Sequence, residues 1–145
     1  MDFFSAINVS STALTAERTR MNLISSNLAN ANSTRTPEGG PYKRKDAVFS
    51  ATPMQNRFNR ELDGASAKEV RQVEVTRIIE DQNPPRLQFD PGHPDANPQG
   101  YVAMPNVNVV EEMADMIGAT RAYEANVTAV QAAKSMAMKT LEISK

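Results

Sequence analysis

The sequence contains no cysteine, no tryptophan and a single histidine, His93. Without cysteine there are no disulfides and no thiolate metal ligands, and the chain suits a reducing or an oxidising compartment equally. One imidazole leaves no second histidine to complete a zinc set. Aromatic residues make up only 6% of the chain, while eight Met and many Ala supply much of its apolar content. Such small or adaptable side chains suit helix contacts better than a rigid sheet core. Neither sign of charge dominates: 16 basic residues against 17 acidic ones leave a net charge of −1. That balance gives no electrostatic ground for nucleic acid or an anionic membrane as partner. No apolar run approaches the ~20 residues of a membrane span, so direct membrane insertion is not expected. Met1-Asp2-Phe3-Phe4-Ser5 has no basic start and no apolar core behind it, so no cleaved secretory signal is expected.

At 145 residues the chain is one domain by size, with room for a modest core. Two stretches, one towards each end, carry apolar residues at alternating spacings of four and three. The first is Phe3, Ile7, Ser10, Leu14, Glu17, Met21, Ile24, Leu28, Ala31, broken only by Ser10 and Glu17. The second is Val109, Met113, Met116, Thr120, Tyr123, Val127, Val130, Lys134, Ala137, Leu141, broken only by Thr120 and Lys134. This is the period of a narrow coiled-coil seam rather than of a broad face resting on a globular core. Its apolar members Ile7, Leu14, Met21, Ile24, Leu28, Val109, Met113, Met116, Tyr123, Val127, Val130 and Leu141 are therefore the candidate assembly seam. Off the seam the first helix is rich in Ser, Thr, Ala and Asn, which lowers its propensity and makes it marginal alone.

The expected architecture is mainly α. Residues 1–34 form an N-terminal assembly helix and residues 106–145 a C-terminal one, together making a coiled-coil-like core. Between them, 35–105 is a Pro/Gly-rich segment with a few short β-strands, and 52–68 reads as a flexible excursion. Ala47-Val48-Phe49 suits one brief strand. Val70–Ile79 is the strongest strand pattern, with Val73, Val75 and Ile79 on one face and Arg77 out of phase. Leu87-Gln88-Phe89 is a candidate to pair with it. Asp90 to Gly100 is a turn-forming loop. Asn106 or Asn108 can cap the last helix, with Glu111 and Glu112 placed well for its dipole.

Candidate chemistry is sparse, and no catalytic, cofactor-binding or metal-binding residue is assigned. His93 sits between Asp90 and Asp95 in a proline-stiffened loop and reads as a turn residue. Glu111, Glu112 and Asp115 read as solvated complements of a helix dipole rather than a catalytic pair. Gly39-Gly40 lacks the Gly-Lys-Ser/Thr ending of a phosphate loop, and there is no Gly-x-Ser-x-Gly elbow. Lys43-Arg44-Lys45 reads as a solvated face or an interface contact. The segment Ser26-Asn27-Leu28-Ala29-Asn30-Ala31-Asn32 is more informative. Its amides are either a fraying helix end or polar contacts that fix register in an assembly.

These residues resemble the axial proteins of the bacterial flagellum, which build rod, hook and filament. Ser26-Asn27-Leu28-Ala29-Asn30, followed by Thr36, Tyr42 and Lys43, is similar to that family's N-terminal signature. Val109-Val110-Glu111-Glu112-Met113 and Arg121-Ala122-Tyr123-Glu124-Ala125-Asn126 resemble its C-terminal counterpart. The stretch from Asn30 to Tyr42, with Pro84-Pro85-Arg86-Leu87 and Asp90-Pro91-Gly92-His93-Pro94-Asp95-Ala96, is similar to the proximal-rod members. The resemblance implies a structural, non-enzymatic subunit of a torque-transmitting rod within the periplasm. It implies other copies of the chain and other rod proteins as partners, and delivery through the flagellar type III export apparatus. The alternatives are another axial position, distal rod or hook, and a small metal-binding or enzymatic domain centred on His93.

Overall fold

The computed structural model describes residues 3–53 and 70–143, apart from the Phe3 side chain. Helix α1 spans Phe3–Ala29 and helix α2 spans Val109–Ile143. Between them lie strands β1 (Lys45–Pro53), β2 (Arg71–Glu80), β3 (Arg86–Phe89) and β4 (Tyr101–Met104). At 1.5 Å per residue the helices are roughly 40 and 52 Å long, and they pack against each other. The other side of α1 rests on β1 and β2, with the Arg20 guanidinium 5.8 Å from the centre of the Phe49 ring.

Each helix is ended by local chemistry. At the close of α1 the Asn30 side chain donates to the Ser26 carbonyl (2.9 Å), which also accepts the Asn30 backbone N–H (3.1 Å). The Asn108 side chain caps α2 by accepting the Val110 N–H (3.1 Å), as helix-start amides do. Along both helices hydroxyls fold back on their own backbone: Thr12, Thr15 and Thr19 in α1, Thr120, Thr128 and Thr140 in α2. The polar faces are thereby satisfied without partners.

Strands β1 and β2 form an antiparallel pair whose register shifts between Val48 and Phe49. Thr76 is the extra residue: Val48 faces Arg77 and Phe49 faces Val75, while the Thr76 hydroxyl donates to the Val48 carbonyl (3.1 Å). A bulge reverses the phase of alternation. Ile78, not Ile79, therefore shares the face of Val73 and Val75, and Arg77 is in phase with Ile79. The first strand is also longer than Ala47–Phe49, and takes in Thr52 and Pro53. The rest of the excursion expected at 52–68 lies outside the described residues.

Strand β3 pairs with β4 and not with β2. The loop from Asp90 to Gly100 closes this hairpin: Asp90 N–H donates to Gly100 O, and the Asn97 side chain accepts from Gln99 and Tyr101 N–H. Phe89 and Tyr101 stack edge to face at 5.3 Å. Gly100 has a φ of 82°, and a Cβ there would lie 2.8 Å from the Phe89 ring, so only glycine fits. The Thr34 hydroxyl ties this loop to the end of α1 through Asp95 (2.8 Å).

Candidate assembly surfaces and a buried polar joint

Among the described residues the buried apolar side chains are Ala16, Ile24, Ala119 and Ala133 on the helices, Ala31 just beyond α1, Val102 in β4 and Val107 after it. Among them sit two polar side chains, Asn27 and Glu112, each only 1% exposed.

Asn27 uses its whole hydrogen-bonding capacity. Its amide donates to the Lys45 carbonyl (2.9 Å) and to Glu112 Oε2 (3.0 Å). Its carbonyl oxygen accepts from Lys45 N–H (2.9 Å) and from the Tyr42 hydroxyl (3.0 Å). Two donors and two lone pairs are thus all occupied. The second Glu112 oxygen accepts from Arg44 Nε. The Arg44 guanidinium also reaches Asp46 (3.3 Å) and Asp115 (3.8 Å). Burial disfavours the Arg44 cation, but the hydrogen bond and charge of Glu112, helped by Asp46, outweigh it and push its pKa up. One joint therefore holds α1, the segment 42–46 and the start of α2. It is built from residues as far apart in sequence as Asn27 and Glu112.

This corrects two expectations. Glu112 is not solvated, because Asn27 and Arg44 satisfy both of its oxygens and replace water. Arg44 belongs to the joint rather than to a solvated basic face, while Lys43 is exposed. The rest of the N-terminal signature divides the local work. Tyr42 reaches Asn27 and lies 3.3 Å from the Ser26 hydroxyl, Asn30 ends α1, and Thr36 closes the turn at Gly39-Gly40 with N–H to Gly40 O (2.9 Å). Leu28 is half-buried and Ala29 exposed.

The candidate seam residues divide between covered and uncovered positions. Ile24 is buried; Ile7, Leu14, Met21, Leu28, Met116, Tyr123, Val127 and Val130 are half-buried; Val109, Met113 and Leu141 are exposed. The covered positions of α2 include a stripe of Glu112, Met116, Ala119, Tyr123, Asn126, Val130, Ala133 and Ala137, flanked by half-buried Ala122 and Val127. The stripe keeps the four-three spacing but is rotated from the apolar series, and the covered positions meet that series at Met116, Tyr123, Val127, Val130 and Ala137. The buried joint and the small alanines draw that side inward. Val110, Met113 and Ile117 remain exposed near the start of α2. Towards the other end Met136, Met138, Leu141 and Ile143 are exposed, as is every residue from 138 to 143. Glu17 Oε2 is buried with no hydrogen-bond partner among the described residues.

His93 is half-buried, and its Nδ1 accepts the Asp95 N–H (3.1 Å), a turn contact. Among the described residues no three His, Cys, Asp or Glu side chains converge as a metal site. A cleft of about 140 Å³ opens beside the joint, between Pro41, Tyr42, Lys43, Asp81 and Asn83. Small-molecule sites typically span ~300–1,000 Å³.

Comparison with known proteins matches both ends of the chain. Residues 7–35 match the family described as flagella basal body rod protein, and residues 99–143 the C-terminal part of the flagellar basal body rod FlgEFG proteins. Flagellar basal-body rod protein FlgC of Borreliella burgdorferi is 46% identical, over 99% of this chain and 98% of its own. The protein of the same name from Bacillus subtilis is 44% identical over the whole of both chains. That from Salmonella typhimurium is 38% identical over 99% of this chain and 98% of its own.

Proposed function

The chain belongs to the flagellar basal-body rod family, matching its FlgC members along its full length, and from that premise we propose how it works as a rod subunit. It is a structural subunit of the proximal rod of the flagellar basal body. The observation that carries this is full-length similarity to three rod proteins, spanning helices, strands and joint alike.

The subunit polymerises through its terminal helices, with other copies of itself and other rod proteins as neighbours. The exposed apolar side chains of α2 support this reading, since solvent-facing clusters of that kind mark association surfaces. Met113, Leu141 and Val109 are then seam positions that neighbours cover, in a coiled-coil-like manner. A donor from a neighbour also satisfies the open Glu17 oxygen. We read the chain as non-enzymatic, delivered through the flagellar type III export apparatus and standing in the periplasmic rod. Among the described residues no helix is long and apolar enough to cross a membrane.

The test is deletion of the gene in its flagellated host, with electron microscopy of isolated basal bodies. Rings without a completed rod or hook are expected; intact rods and hooks would overturn the assignment. Complementation with His93→Ala is expected to restore motility, and its failure would favour the rival centred on His93.

A further inference from the structure

We infer that the Asn27–Glu112–Arg44 joint is the register pin of the helix pair: it selects one axial alignment of α2 on α1. This holds of the chain's own fold and does not depend on the rod assignment. The fully buried apolar side chains on the two helices are Ala16, Ile24, Ala119 and Ala133, with Leu14, Met21, Met116, Tyr123 and Val130 half-buried. The apolar spacing of both helices repeats every seven residues, so sliding one helix by a heptad sets apolar positions against apolar positions again. Apolar burial is non-directional and discriminates little between such alignments.

Polar burial discriminates strongly. Asn27 and Glu112 lie on the contacting faces at 3.0 Å, with Arg44 completing the carboxylate. Sliding α2 by seven residues, about 10.5 Å, brings Ala119 opposite Asn27. The Asn27 N–H and the Arg44 Nε then face a methyl group, while Glu112 loses both partners. A single buried amide is known to fix register between helices at some cost in stability, and a buried ion pair is weak evidence for stability itself. Arg44 and Glu112 are positioning residues in this sense.

The absence of cysteine makes the register directly readable. Met21 Sδ and Thr120 Oγ1 lie 3.8 Å apart while Asn27 meets Glu112, so the two helices run antiparallel. Paired cysteines at Met21 and Thr120 report the native alignment. Pairs at Met21 with Met113, and at Met21 with Val127, report a slip of one heptad either way. Each pair is treated, in dilute full-length protein, with a short thiol-specific cross-linker, and intramolecular product is quantified by mass spectrometry. In the parent background the 21/120 pair is expected to exceed either slipped pair by about tenfold. In Arg44→Met/Glu112→Leu, which keeps the site filled and removes the pin, that preference is expected to collapse towards parity while helical circular dichroism persists. A helical double variant that retains the full 21/120 preference would overturn the inference. Loss of helix in the double variant would overturn it too, by assigning the joint to stability rather than to alignment.

Discussion

The two ends of α2 obey opposite rules. At its start a carboxylate, Glu112, is 1% exposed, while at its end Leu141 and Ile143 are 69% and 86% exposed. In an ordinary globular domain charges stay outside and large apolar side chains go in. Here the polar group is buried because Asn27 and Arg44 hold both its oxygens, so neither oxygen is buried without a hydrogen-bond partner. The apolar end is exposed: among the described residues every position from 138 to 143 keeps most of its surface open. The contrast fits a proposed division of labour: polar contacts specify the fold of one subunit, and the exposed apolar surface is where neighbours are proposed to bind.

Breaking the buried end should have the largest effect on stability. Glu112→Ala takes the acceptor from one Asn27 amide hydrogen and from Arg44 Nε at a buried site and is expected to cost about 3 kcal/mol, read from denaturant unfolding. Asn27→Ala strips partners from Tyr42, Lys45 and Glu112 at once and is expected to cost about 2 kcal/mol. Gly100→Ala lies away from both ends of α2. Its positive φ and contact with Phe89 predict about 1–3 kcal/mol, confined to the β3–β4 hairpin and visible as faster amide exchange there. Leu141→Asp sharpens the comparison from the other side. It should change the stability of the free chain by less than ~0.5 kcal/mol yet abolish motility in a complemented deletion strain. A swimming Leu141→Asp strain would remove the exposed end from the assembly surface.

Much of this organisation was legible in the sequence, and what was not has a common cause. Both helices follow from their four-three periodicity, the Asn108 cap and the prolines between them. Strand β2 follows from Val73 and Val75. The bulge at Thr76 was hidden, since the phase of Ile78 and Ile79 depends on how Val48 pairs across the hairpin. Strand β4 was hidden because Tyr101-Val102-Ala103-Met104 is short and gains its partner only when Asn97 and Gly100 close the loop. Glu112 was read as solvated because its two partners stand 68 and 85 residues away in the chain. The Asn27 amides offered two readings, fraying end or register contact, and local sequence does not choose between them. Periodicity reports which side chains are apolar; it does not report which neighbour covers them. The covered stripe of α2 therefore runs beside the apolar series rather than on it.

Amide exchange along α2, compared between free subunit and isolated basal bodies, tests the central claim most directly. In the free chain residues 112–130 should be protected, and residues 134–143, which little of the chain covers, should exchange quickly. Assembly into the rod should slow the 134–143 amides to the level of 112–130. If those amides exchange as fast in the rod as in the free chain, the exposed apolar end is not where neighbours bind, and the division of labour proposed for α2 is wrong.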